Sequence, residues 1–230
     1  IFAKDETGKL NFSKLNNSVE SLHYRGPDSK GIYIDKNIGL GHTRLSIIDT
    51  SNAANQPFTS PDKRYTLVFN GEIYNYKSLK KVLENRGYSF KTSSDTEVLL
   101  YHLIEFGEAG INDLNGFFGF AFYDKETQET IVARDRFGIK PLHLYEDEHQ
   151  LIFASEMKAI FEFNITKKIN LSSLQLYFKF NYIPQPLSIL ENCKKLQPGE
   201  ILKWKDGKSK TKKYYTLAYT PGRYLFTDYN

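Results

Sequence analysis

The sequence predicts an α+β fold built on antiparallel sheets, and three observations carry that expectation. Short segments of β-branched and aromatic residues recur at 31–40, 65–70, 116–124, 129–134, 141–145 and 150–154. Two of the breaks between them, 125–128 and 146–148, are short enough for hairpins, which join antiparallel strands. Helical periodicity falls in other stretches and does not alternate with each strand, which argues against a doubly wound parallel sheet.

Taken in order, segment 31–40 reads as one strand, and strand 65–70 ends at Asn70-Gly71. A helical pattern follows over 77–86, with Leu79, Val82 and Leu83 on one face and Gly87 as its stop. Ser94-Asp95-Thr96-Glu97 is a capping-box pattern, which opens a helix over 98–106 that Gly107 closes. The four later strands form the two hairpins, and further helices are predicted at 155–163 and 172–178. Asp206-Gly207 is a two-residue hairpin signal. Periodicity fades from Thr216 onward, so a domain over 1–215 is expected, with 216–230 as an exit segment.

Composition narrows the function classes. With 40% apolar and 25% charged residues the chain is an ordinary globular sequence, not a disordered one. Its longest apolar run, 117–123, is far short of the roughly 20 residues that a membrane-spanning helix needs. The opening residues show neither a basic leader nor a cleavable apolar stretch, so a cytoplasmic setting is expected. A single cysteine, Cys193, permits no internal disulfide, and it reads as a buried thiol. The net charge of +4 is mild, and six lysines between Lys203 and Lys213 surround the Asp206-Gly207 turn. They read as a solvated hairpin, with no nucleic-acid signature beside them. The five histidines show no metal spacing and none is assigned a catalytic role, although His42 lies within a polar motif. Neither G-x-x-x-x-G-K-[ST] nor G-x-G-x-x-G is present, so no phosphate-binding loop is expected in this domain.

Four segments place polar residues at the ends of predicted elements, where rigid scaffolds present functional groups. They are Arg25-Gly26-Pro27-Asp28, His42-Thr43-Arg44-Leu45-Ser46-Ile47-Ile48-Asp49, Asn70-Gly71-Glu72-Ile73-Tyr74-Asn75 and Ser94-Asp95-Thr96-Glu97. In this order, and continued by Arg134-Asp135-Arg136-Phe137-Gly138, Phe153-Ala154-Ser155-Glu156-Met157 and Leu196-Gln197-Pro198-Gly199, they resemble the class II glutamine amidotransferases, which are N-terminal-nucleophile hydrolases. The forms R-L-S-I-I-D and N-G-E-I-Y-N favour the asparagine synthetase branch. The resemblance covers about residues 24 to 215.

It implies two stacked antiparallel sheets sandwiched between helical layers, and hydrolysis of L-glutamine to L-glutamate and ammonia. Arg44 would grip the substrate α-carboxylate, since a guanidinium fork matches a carboxylate; read alone, it is a surface arginine ending a strand. Leu45, Ser46, Ile47 and Ile48 would line the same pocket. Asp95 would pair with the α-ammonium, although an acid in a first helical turn also complements the helix dipole, and one residue can serve both. Asn70 and Gly71 would form the oxyanion hole; otherwise Asn-Gly is a tight turn. Glu72 is a further substrate-contact candidate. The family nucleophile is an N-terminal cysteine in Cys-Gly-Ile, followed by a small residue, a glycine and an apolar pair. Ile1-Phe2 fits that pair, so the cysteine is expected upstream of Ile1, and the chain from Ile1 is expected to be inactive without it. No metal ligand or cofactor is expected in this domain. ATP and magnesium belong to a C-terminal synthetase domain, the expected partner and ammonia acceptor, and the oligomeric state, a homodimer included, stays open. Two alternatives stay open: a glutamine-binding or regulatory domain without catalysis, and a glutaminase domain serving an acceptor other than aspartate.

Overall fold

The computed structural model describes residues 1–218; most of the exit segment expected at 216–230 therefore lies outside the described residues. Two six-stranded antiparallel sheets stack face to face. The first contains β1 (Phe2–Ala3), β2 (Ser29–Asp35) and β3 (Ile38–Arg44), and the second contains β4 (Phe58–Thr59), β5 (Tyr65–Ile73), β6 (Gly116–Asp124) and β7 (Glu129–Arg134). Later strands join both. β8 (His143–Glu146), β9 (Gln150–Ala154) and β10 (Cys193–Lys195) complete the first sheet, in the order β10-β8-β9-β1-β3-β2. β11 (Glu200–Lys205) and β12 (Lys208–Lys213) extend the second, in the order β12-β11-β7-β6-β5-β4.

The period-2 alternation of the strands sorts their side chains into three apolar layers. Phe2 and Leu40 from one sheet meet Val68, Tyr123 and Trp204 from the other in the central layer. Behind the second sheet, Phe69, Phe118 and Phe120 pack on α3 (Tyr76–Glu84) and α4 (Asp95–Phe106). Behind the first, Ile1, Tyr145 and Ile152 pack on α2 (Leu15–Ser21) and α5 (Met157–Phe161). The helix α1 (Glu6–Leu10) follows β1, and α6 (Leu171–Phe180) follows α5. The expected sandwich between helical layers is the fold observed. No helix among the described residues is long and apolar enough to cross a membrane.

Several expected elements change. Segment 31–40 is not one strand but parts of two: β2 and β3 form a hairpin through Lys36, whose φ of 43° takes the left-handed turn that Asp35-Lys36-Asn37 does not advertise with a glycine. β5 runs on to Ile73, so Asn70-Gly71 lies inside a strand and not at its end. The helix expected at 155–163 shortens to α5, and that at 172–178 lengthens to α6. Ser94 caps α4 by accepting from Glu97 N–H. Glu97 does not return the bond; its carboxylate accepts from Lys91 and Thr92 N–H and fixes the loop before the helix. The Asp206-Gly207 hairpin is present, both turn residues having positive φ, and Lys203 sits between Glu108 and Glu129.

Candidate active site

β3 and β5 lie on facing sheets, and their even-numbered residues point into the space between them. Leu40 and Val68 belong to the central apolar layer; two and four residues further along, His42, Arg44, Asn70 and Glu72 continue the same faces into a cavity of about 400 Å³. Asp95, at the start of α4, closes another wall.

The four polar segments are bonded to one another. Asp28 N–H donates to Arg44 O, and Asp28 Oδ2 accepts from Ser46 N–H at 2.7 Å. Asp49 Oδ2 accepts from Ser93 N–H at 2.9 Å, and Ile73 N–H donates to Asp95 Oδ2 at 3.0 Å. The Ser51 hydroxyl, followed by the Ser93 and Ser51 backbone N–H groups, holds the Asp49 carboxyl below the usual carboxylate range.

Arg44 is buried at the end of β3. Its Nη1 donates to Ser51 O and Asn55 Oδ1, both at 3.0 Å, and its Nη2 donates to Asp49 O. A guanidinium has five N–H donors, so Nε–H and one Nη2–H keep no recorded acceptor among the described residues. That fixes the side chain and leaves two donors for a carboxylate.

Asp95 has no cationic partner among the described residues, and burial, with Glu72 nearby, raises its pKa above the usual carboxylate value. A buried carboxylate without a cation favours one that arrives with a ligand. The Ser94 cap and the Ile73 bond hold it in place.

Gly71 pairs with Phe118, and a Cβ here would collide with Phe117 O, so the close approach of β5 to β6 requires glycine. In an antiparallel pair, alternate residues turn their N–H and C=O groups away from a given neighbour. Phe69 N–H goes to Gln56 and Ile73 N–H to Asp95, both away from β6. Gly71 N–H, midway between them, points to that same side and has no recorded acceptor among the described residues. The Asn70 carboxamide, half-buried, is likewise without a recorded hydrogen bond there.

Of the expected contacts, Leu45, Ile47, Ile48 and Glu72 line the cavity with Arg44, Asn70, Gly71 and Asp95, whereas Ser46 does not: its N–H is turned to Asp28. The sequence reading gave no role to His42, Gln56 or Lys140, which line the cavity as well. His42 stood in a recognised motif without a role. Nothing local marked Gln56, whose contact is with β5.

Cys193 lies in β10, pairs with Tyr145 and packs in the outer layer with Ile152 and Ile160, and it does not itself line the cavity. Burial pushes its thiol up to about 11, which leaves it almost wholly protonated near neutral pH.

The chain is similar to known proteins over most of its length. A family model described as "Glutamine amidotransferase domain" matches residues 2–215. An asparagine synthetase (glutamine-hydrolysing) of Bacillus subtilis is 40% identical over 203 residues, 88% of this chain and 32% of the relative. Asparagine synthetase B of Escherichia coli is 46% identical over 140 residues, 60% of this chain and 25% of the relative. This chain therefore spans about a third or less of the length of either relative. Among solved structures, a glutamine phosphoribosylpyrophosphate amidotransferase from B. subtilis, complexed with ADP and GMP, superposes with a TM-score of 0.57 at 28% identity, covering 78% of this chain and 35% of that one.

Proposed function

The chain belongs to the glutamine amidotransferase domain family, and on that premise we propose that its cavity hydrolyses L-glutamine to L-glutamate and ammonia through a thioester on a cysteine upstream of Ile1. One observation supports this most. Two donors on Arg44, an uncompensated carboxylate on Asp95, the Gly71 N–H and the Asn70 carboxamide all have bonding capacity to spare around one cavity, and they match the three polar ends of glutamine.

In this reading Arg44 binds the α-carboxylate, Asp95 the α-ammonium, and Leu45, Ile47, Ile48 and Glu72 flank them. The thiol sulfur bonds to the side-chain amide carbon while the cysteine's own α-amine, with an ordinary pKa of about 8, takes the thiol proton. The amide oxygen becomes an oxyanion facing Asn70 Nδ2–H and Gly71 N–H. Collapse breaks the C–N bond, the amine returns its proton to the departing ammonia, and water then cleaves the thioester to glutamate and the free thiol.

The sheet register supports the upstream position. β1 pairs antiparallel with β3, Phe2 opposite Ile38, and each step upstream advances one residue along β3. The fifth residue before Ile1, where the Cys-Gly-Ile pattern puts the cysteine, falls opposite Arg44. It is an even number of residues from Phe2, so its side chain faces the space between the sheets, as Phe2 does. The edges of β3 and β9 that flank this path line the cavity through Gly41, His42, Phe153 and Ala154.

The ammonia would serve a synthetase domain, as the relatives' names, asparagine synthetase (glutamine-hydrolysing), suggest, and ATP and magnesium would belong to that domain as the family resemblance implies. The reading is tested by ammonia release from glutamine. The chain extended upstream to a free N-terminal cysteine should hydrolyse glutamine, and the chain beginning at Ile1 should not. Glutamine binding without ammonia release in the extended chain would make this a binding domain.

A further inference from the structure

Two side chains outside the substrate contacts hold the strand that carries the oxyanion groups. β4 pairs with β5 only through Phe58 with Leu67 and Thr59 with Thr66, so beyond Leu67 the edge of β5 has no strand beside it among the described residues. At Phe69, the residue before Asn70, the buried carboxamide of Gln56 takes a strand's place. Its Oε1 accepts from Phe69 N–H at 2.6 Å and its Nε2 donates to Phe69 O at 3.1 Å. His42, on β3 in the other sheet, places Nε2 3.0 Å from the same carbonyl oxygen. A carbonyl oxygen brings no proton, so this nitrogen is the donor and the ring is the Nε2–H tautomer.

Burial, with Arg44 nearby, brings the His42 imidazole down to about 4, so the neutral donor persists across the neutral range. The bond joins the two halves of the site. Two residues along β3 from His42 stands Arg44, and next to Phe69 stands Asn70. β5 would not unravel without the clamp, because it keeps its full register with β6 from Tyr65 to Ile73. What the clamp sets is the position of Asn70 and Gly71 relative to the opposite sheet.

We propose that His42 and Gln56 are positioning residues for the hydrolysis: they clamp the Phe69 peptide across the two sheets, and so hold Asn70 Nδ2 and Gly71 N–H where the amide oxygen becomes an oxyanion. This rests on the reading of Asn70 and Gly71 as the oxyanion groups. The clamp acts on a charge that exists only along the reaction path, so its loss falls on kcat and not on the binding of glutamine.

The test is glutaminase kinetics of the cysteine-bearing chain with His42→Ala, His42→Gln, Gln56→Ala, Asn70→Ala, and His42→Ala combined with Asn70→Ala. His42→Ala and Gln56→Ala should each lower kcat by about 10- to 100-fold, with KM within about threefold. His42→Gln should recover most of that loss, since its carboxamide can donate to the same carbonyl. The double variant should be slower than Asn70→Ala by a clearly smaller factor than His42→Ala is slower than the parent chain, because of the two groups the clamp positions only Gly71 N–H is left. An unchanged kcat in His42→Ala, a loss that falls on KM, or losses that multiply in the double variant would each overturn the proposal. If His42→Ala does not fold, Gln56→Ala, alone and combined with Asn70→Ala, decides by the same criteria. Unchanged kcat in Asn70→Ala alone would instead remove the oxyanion reading, and the proposal with it.

Discussion

Asn70→Ala in the cysteine-bearing chain is expected to lower kcat for glutamine by about 10²- to 10³-fold while moving KM by less than about threefold. The reason lies in when the contact is made. Bound glutamine presents a neutral amide oxygen, to which one more N–H donor contributes little. The tetrahedral intermediate presents a full charge in a site walled by two sheets, where a fixed donor does most. The fold should tolerate the change, because the Asn70 side chain makes no recorded hydrogen bond among the described residues and its strand is held by the register with β6. Gly71 N–H would remain, which is why a residual rate is expected. A large rise in KM with unchanged turnover would make Asn70 a contact of the ground state.

Loss of either charged grip should fall on kcat/KM. Removing a charge-assisted bond costs roughly 1.5 to 3 kcal/mol, so Arg44→Ala or Asp95→Asn should lower kcat/KM for glutamine by about 10- to 100-fold. The two differ in stability. Arg44 also ties down the loop over 49–55 through three bonds, so Arg44→Ala should lower Tm as well. Asp95 acts in the opposite sense. Burial raises its folded pKa, so the proton favours the folded state: the stability gained from protonation is present below the unfolded value and is lost as pH rises through the folded one. At neutral pH the ionised carboxylate therefore opposes folding, and Asp95→Asn, which can still accept from Ile73 N–H, should raise Tm. KM for glutamine should rise as pH falls through the raised pKa of Asp95, because the protonated acid cannot pair with an ammonium, and this limb should vanish in Asp95→Asn. Wild-type kcat/KM in either folded variant would remove that residue from the site.

Much of this site was legible in the sequence because its groups sit in short motifs whose chemistry is local. Arg44 and Asp95 stood out as candidate grips for a carboxylate and an ammonium through the family resemblance, each having a plain structural reading by itself, and the Ser94 cap announces where α4 begins. Asn70-Gly71 was legible as a pair but not as a structure: the dipeptide usually means a turn, whereas here glycine serves the close approach of β5 to β6. The break between β2 and β3 was hidden for the converse reason, since Lys36 turns the chain without a glycine to signal it. β1 is two residues long, too short for alternation to show, although it occupies the middle of its sheet. His42 and Gln56 could not be read at all. Their common partner, the Phe69 peptide, lies 27 and 13 residues away and across a strand edge or a sheet interface, a placement no local periodicity encodes.

The central claim, an N-terminal thiol activated by its own α-amine beside Asn70 and Gly71, is tested most directly by adding one residue ahead of the cysteine. That change turns the amine into an amide and leaves the thiol, the cavity and every glutamine contact in place. Ammonia release from glutamine should fall to near background in the chain bearing the additional residue and be restored when that residue is removed. Equal rates with and without the additional residue would contradict the mechanism.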